Sequence, residues 1–202
     1  MKNILLLLFI IQFYSTCSSA QNESDLYKNI YKTADRLKAS GKTSCIDTNN
    51  LFKEVIKLDK KHPSDFFKYS GNLMNDSKFN EASFIYYLGL MRFRYFNSAN
   101  PNYQASGDGA LLGSLKYAMG EPINMYLRTD VDNFIFIIKL ARKYYSEHDY
   151  KYFPKDKYLE KFDAQCKSYQ DLITDLETNK EKYKSVWASE RKSIEENLEN
   201  VK

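Results

Sequence analysis

Beyond the first twenty residues, apolar positions recur at three- and four-residue spacings, the period of a helix rather than the alternation of a half-buried strand. Leu26, Ile30, Ala34 and Leu37 form one such stripe and predict a helix over residues 24–39, with Gly41 as its stop. Leu51, Val55 and Ile56 mark a second helix over residues 47–58, before "DKKHP" breaks the chain at Pro63. Farther on, residues 110–119 read as a helix ending at Gly120, and Pro122 opens a short one in "PINMYLR", because proline suits the first helical turn. Thr129 and Asp132 stand at capping-box spacing in "TDVD" and introduce a helix over residues 132–148. Its "FIFII" run has strand propensity, but the continuation into "KLARKYY" favours the helix.

From residue 156 the chain is charged, and Leu159, Phe162, Cys166, Tyr169, Ile173 and Leu176 repeat as a coiled-coil seam does. Tyr183, Trp187, Ile194 and Leu198 resume the seam after "ETNK"; one long helix and a hairpin turning at "TN" both fit. The fold class is all-α.

Between the second helix and the central loop, "SDFFKYSGNLMNDSKFNEASFIYYLGLMRFRYF" places two helices about a short "NDSK" turn. Phe66, Tyr69, Ser70, Leu73, Phe79, Ala82, Tyr86 and Gly89 carry aromatic, aliphatic and small residues at spacings that resemble one tetratricopeptide repeat over residues 64–97, without its terminal proline. The resemblance implies a helical hairpin that stacks on neighbours because it cannot bury its apolar face alone. Residues 24–58 would then be a degenerate first hairpin, in a core reaching about residue 148 and followed by a C-terminal helical segment over residues 156–200. From Ala82 to Gly107 the only charged residues are Arg92 and Arg94, so the second helix is apolar nearly all round and belongs at the centre of the domain. Each arginine there needs an acceptor or a path to water. Two positions apart, they diverge by about 200° around the helix.

The opening "MKNILLLLFIIQFYSTCSSAQN" has a basic start, an apolar run shorter than the roughly 20 residues of a membrane-spanning helix, and small residues after it. It predicts a signal peptide over residues 1–20, cut after Ala20, and a single domain over residues 21–202 outside the cytoplasm, periplasmic or secreted. Cys17 offers a second reading as a lipid acceptor, although "YST" before it suits that role poorly. An anchored form would hang from lipid alone, since no later segment is apolar enough to span a membrane.

Removing Lys2 lowers the 30 basic residues to 29 against 26 acidic ones, leaving a net charge of about +3. Without clustering of Lys and Arg, that balance argues against a nucleic-acid partner. Cys45 and Cys166 remain after cleavage; a disulfide between them suits an oxidising compartment, while Cys166 also reads as a small apolar residue at a helix seam.

The Gly-rich "SGDGALLGSLKYAMGEPIN", starting at Ser106, invites comparison with a phosphate-binding loop. Gly109 and Gly113 are one residue too close for a P-loop, Lys116 is displaced, and no strand precedes the glycines. Capping and turning explain the stretch, and Asp108 becomes a candidate partner for Arg92 or Arg94. The sequence has 2 histidines, His62 and His148, neither at metal-ligand spacing, and no nucleophile motif, so no cofactor or metal is implied. The leading expectation is a non-enzymatic helical domain that binds another protein of the cell envelope or extracellular space. The alternative is an extracytoplasmic enzyme or small-carboxylate binder with a pocket formed by Arg92, Arg94, Tyr86, Tyr87 and the Ser106–Gly109 loop.

Overall fold

A computed structural model describes residues 24–200; the expected signal peptide over residues 1–20, its expected cut after Ala20, and Cys17 lie outside the described residues. Those residues form α1 (24–39), α2 (Thr48–Leu58), α3 (Ser64–Asn75), α4 (Phe79–Ala99), α5 (Ala110–Leu127), α6 (Val131–Glu147), α7 (Leu159–Thr178) and α8 (Lys180–Asn200), with no strand among them. The all-α expectation holds. α4 lies in the middle, packed on α3, α5, α6 and α7, because its 21 residues leave no polar face to give to water.

α3 and α4 pair as the expected hairpin. Gly89 brings them together: a Cβ there would stand 2.4 Å from Cβ of Phe66. Ser70 Oγ closes the same seam by donating to the Ala82 carbonyl at 2.8 Å. At the start of α4, buried Asn80 donates to the carbonyls of Thr43 (2.7 Å) and Cys45 (3.1 Å) and accepts from Tyr126 Oη (2.8 Å) and Asn133 Nδ2 (2.9 Å). With all these bonds made, one amide side chain links the loop before α2, α5 and α6 to the central helix.

Several boundaries differ from the sequence expectation. Residues 110–127 are one helix, not two, with Pro122 inside it. Proline forfeits one backbone hydrogen bond, but Pro122, Ile123, Met125, Tyr126 and Leu127 are buried, and their packing outweighs that loss. The cap of α6 is Asp130, whose Oδ1 accepts from the amides of Asp132 (2.9 Å) and Asn133 (3.1 Å), while Thr129 Oγ1 donates back to the Tyr126 carbonyl. The C-terminal segment breaks at Asn179, whose side chain donates to the Asp175 carbonyl and carboxylate. α8 therefore leaves the line of α7: Trp187 packs on Phe134 of α6, and Arg191 reaches Asp35 of α1.

Cys45 and Cys166 do not pair; both are free thiols. Cys45 sits at the N-terminal end of α4 through Asn80, whereas Cys166 gives its carbonyl to Arg142 of α6, beside the α6–α7 seam. Tyr145 and Phe162 of that seam stack on each other, and Phe162 packs against Tyr95. Asn80 and Tyr95 are about 22 Å apart along a helix, several times the span of a disulfide.

Two glycines predict opposite responses. Gly89→Ala forces the α3–α4 contact apart and should cost about 1–3 kcal/mol by urea unfolding. Gly113→Ala, on an exposed helical turn with nothing within 4 Å of the new Cβ, should stabilise by about 0.5–1 kcal/mol.

Candidate functional site

α4 sends its two arginines to different places. Arg92 is 0% exposed. Its Nε donates to Asp59 Oδ1 at 3.0 Å, and its Nη2 donates to Asp59 Oδ2 at 3.3 Å and to the His148 carbonyl at 2.9 Å. The guanidinium also lies 4.9 Å from the ring centre of Tyr145 and 5.2 Å from that of Tyr150. Asp59, the residue that ends α2, accepts a further hydrogen bond from Tyr144 Oη at 3.4 Å and gives its carbonyl to the Tyr152 amide at 2.7 Å. Burial raises the Asp59 pKa, against the pull of Arg92.

This arrangement corrects the expectation that Asp108 meets an arginine. Asp108 stands in a single π-type turn, Ala105–Gly109, and its Oδ1 lies 3.2 Å from His62 Nε2. On the other side of the ring, His62 Nδ1 accepts the Ser64 amide at 3.3 Å and lies 2.8 Å from Ser64 Oγ. With Nδ1 accepting the Ser64 amide, the neutral ring carries its proton on Nε2, toward Asp108.

Serine, histidine and aspartate in sequence are the parts of a nucleophile relay, but stabilising an acyl intermediate also needs donors aimed at the developing oxyanion. The nearest candidates are engaged: the Ser64 amide on His62 Nδ1, the Asp65 amide on the His62 carbonyl and the Phe66 amide on the Pro63 carbonyl. The trio ties the start of α3 to the 105–109 turn.

Of the residues nominated from sequence, Tyr86 and Tyr87 lie edge to face with ring centres 5.2 Å apart, Arg94 follows them by about two turns of α4, and Arg92 and Asp108 have other partners. Tyr87 Oη donates to Asn124 Oδ1 at 2.6 Å, joining α4 to α5. The Tyr86 ring passes beneath α5 where Gly120 leaves room; a Cβ on Gly120 would stand 2.8 Å from Tyr86 Oη. There it reaches a groove of about 470 Å³ between α5, α8 and α1, whose walls include Tyr31, Tyr117 and Trp187. The rim is held by Arg128 on Glu190 (3.3 Å) and by Arg191, which is clasped by Asp35 and Glu195 and lies 4.7 Å from the ring centre of Tyr31. Hydrogen bonds from Arg191 hold the Asp35 carboxyl below its ordinary pKa.

Sequence periodicity missed this groove because its walls come from helices far apart along the chain. Its one local sign was "ALLGSLKYAM", nearly uncharged yet without a strong apolar face. In the structure residues 110–119 include no buried side chain; Leu111 is 40% and Tyr117 88% exposed.

The Arg92 knot and the Asp108 contact predict distinct responses. Asp59→Asn and Arg92→Met should each cost about 3–5 kcal/mol in chemical unfolding, and the double variant should cost well under the sum. Asp108→Ala, which removes only the partly exposed contact with His62, should cost less than about 1 kcal/mol.

The chain matches no family model, no curated protein and no solved structure at a significant level.

Proposed function

We propose that the chain is an extracytoplasmic, non-enzymatic helical domain that binds another protein through the first half of α5 and the groove beside it. The observation that carries this reading is the exposure of a helix with little reason to face water. Residues 110–119 have a single charge, Lys116, and present Leu111 and Tyr117 to solvent. A helical segment of that composition is ordinarily covered, and contiguous apolar exposure marks contact surfaces.

The adjoining groove favours a polypeptide over a lipid surface as the partner. It is concave and has aromatic walls, suited to side chains projecting from a partner segment, as hot-spot pockets are. A bilayer would be better served by a convex apolar face. Among the described residues no helix is long and apolar enough to cross a membrane. The extracytoplasmic part of the proposal rests on the signal-like opening of the sequence.

A photo-crosslinking residue placed at Tyr117 should capture one protein in intact cells, while the same residue at Lys167, on the exposed face of α7, should not. Tyr117→Asp should abolish co-purification of that protein and leave the melting temperature of the domain within about 2 °C, since the side chain is 88% exposed. Equal capture from both positions, or capture of lipid alone, would sink the reading.

A further inference from the structure

The walls of the groove beside α5 restrict what a partner can put there. Two of the tyrosines that line it are nearly buried, Tyr86 at 3% exposed and Tyr31 at 5%. Neither hydroxyl has a hydrogen-bond partner among the described residues, and neither is sealed from water. Tyr86 Oη lies close against α5 at Gly120, where a Cβ would stand 2.8 Å from it. Burial raises the pKa of both residues, so each stays a phenol that can donate and accept.

The charges around these phenols cancel. Arg128 is paired with Glu190 at 3.3 Å, and Arg191 is held by Asp35 and Glu195, each at 2.8 Å. Lys116 and Glu121, the other two charged residues of the lining, have opposite signs. A cation entering the groove would meet Lys116, Arg128 and Arg191, and an anion would meet Glu121 and Glu190, so the complementary occupant is neutral.

Among neutral side chains the two phenols narrow the choice further. An aliphatic group or a phenylalanine ring would drive water off the Tyr31 and Tyr86 hydroxyls without replacing its hydrogen bonds, which is costly. A small amide or hydroxyl side chain would leave the rings of Tyr117 and Trp187 with no apolar body to cover. Tryptophan supplies a ring, but its N–H only donates. Tyrosine combines a flat apolar ring with a hydroxyl that donates and accepts. We infer that the partner segment enters the groove with a tyrosine side chain, its ring against the aromatic walls and its hydroxyl on Tyr86 Oη. This rests on the groove being a contact surface for a protein, and adds which side chain the groove selects.

A groove of about 470 Å³ is in the size range of small-ligand sites, so a single blocked amino acid can probe it. N-acetyl-L-tyrosinamide is the probe and N-acetyl-L-phenylalaninamide the comparison. Trp187, the one tryptophan of the sequence, lines the groove and gives a single indole N–H resonance to follow in the full chain. The tyrosine probe should shift that resonance with a Kd on the order of 1 mM, and the phenylalanine probe should bind about threefold to tenfold more weakly. In Tyr86→Phe that preference should shrink to within about twofold, which separates the hydroxyl contact from the rest of the groove. The variant itself should melt within about 2 °C of the parent chain, because no internal hydrogen bond is lost.

An indole resonance unmoved by the tyrosine probe at about 20 mM overturns the inference. So does equal binding of the two probes, a Tyr86→Phe variant that keeps the preference, or tighter binding of N-acetyl-L-lysinamide or of N-acetylglucosamine, a cation and a saccharide. A protein captured at Tyr117 with no probe bound removes this inference and leaves the partner reading standing, so the two fail apart.

Discussion

Two oxygens of Asp59 and two nitrogens of Arg92 meet where water does not reach, and the arrangement of the helices follows from keeping them together. Either charge alone would carry a large desolvation cost; paired in this geometry, each offsets the other's. The pair holds only when α2 ends beside the second half of α4 and when the end of α6 brings the His148 carbonyl to the remaining side of the guanidinium. Tyr144, Tyr145 and Tyr150 close over the two groups, so the chain just after α6 is drawn into the same knot. Buried ion pairs of this kind contribute less to net stability than to choosing one register among many, and register is what a nearly uniformly apolar helix such as α4 lacks.

That arrangement also decides what is left over. Asp59 is committed to Arg92 and Asp108 to His62, so neither acid serves Arg94. The second half of α5 is anchored by Ile123, Met125, Tyr126 and Leu127, while its first half touches the core only through the partly buried Leu112, Leu115 and Met119. One continuous helix thus combines a buried half that fixes its direction and an exposed half that carries Leu111 and Tyr117 outward. α8, turned away from α7 at Asn179, closes the far side of the groove with Trp187 and Arg191.

Local chemistry made most of the helices legible. The stripes along α1, α2 and α7 record one buried face each, apart from the exposed Ile56 and Leu159, and Gly89 stood among the residues that resemble a tetratricopeptide hairpin. The misreadings were local rules overridden by packing or by a neighbouring residue. Pro122 should start a helix, yet buried side chains beyond it carry α5 straight through. Thr129 has capping spacing, but Asp130, one residue later, reaches two amides at once. Tyr169 read as one more seam residue because periodicity registers its ring and is blind to whether its hydroxyl finds a partner.

From the sequence alone it followed that the domain is helical, that α4 is central and that its two arginines point apart, since all three depend on residue spacing along a single helix. Which acid answers Arg92 did not follow. Asp59 precedes it by 33 residues and Asp108 follows at a shorter separation, and only the packing of α2 against α4 selects the first. The unengaged hydroxyl of Tyr169 and the groove beside α5 were decided by tertiary structure for the same reason. Each depends on which groups from distant segments come within hydrogen-bonding or van der Waals reach, a property of three-dimensional distance that no spacing along the chain records.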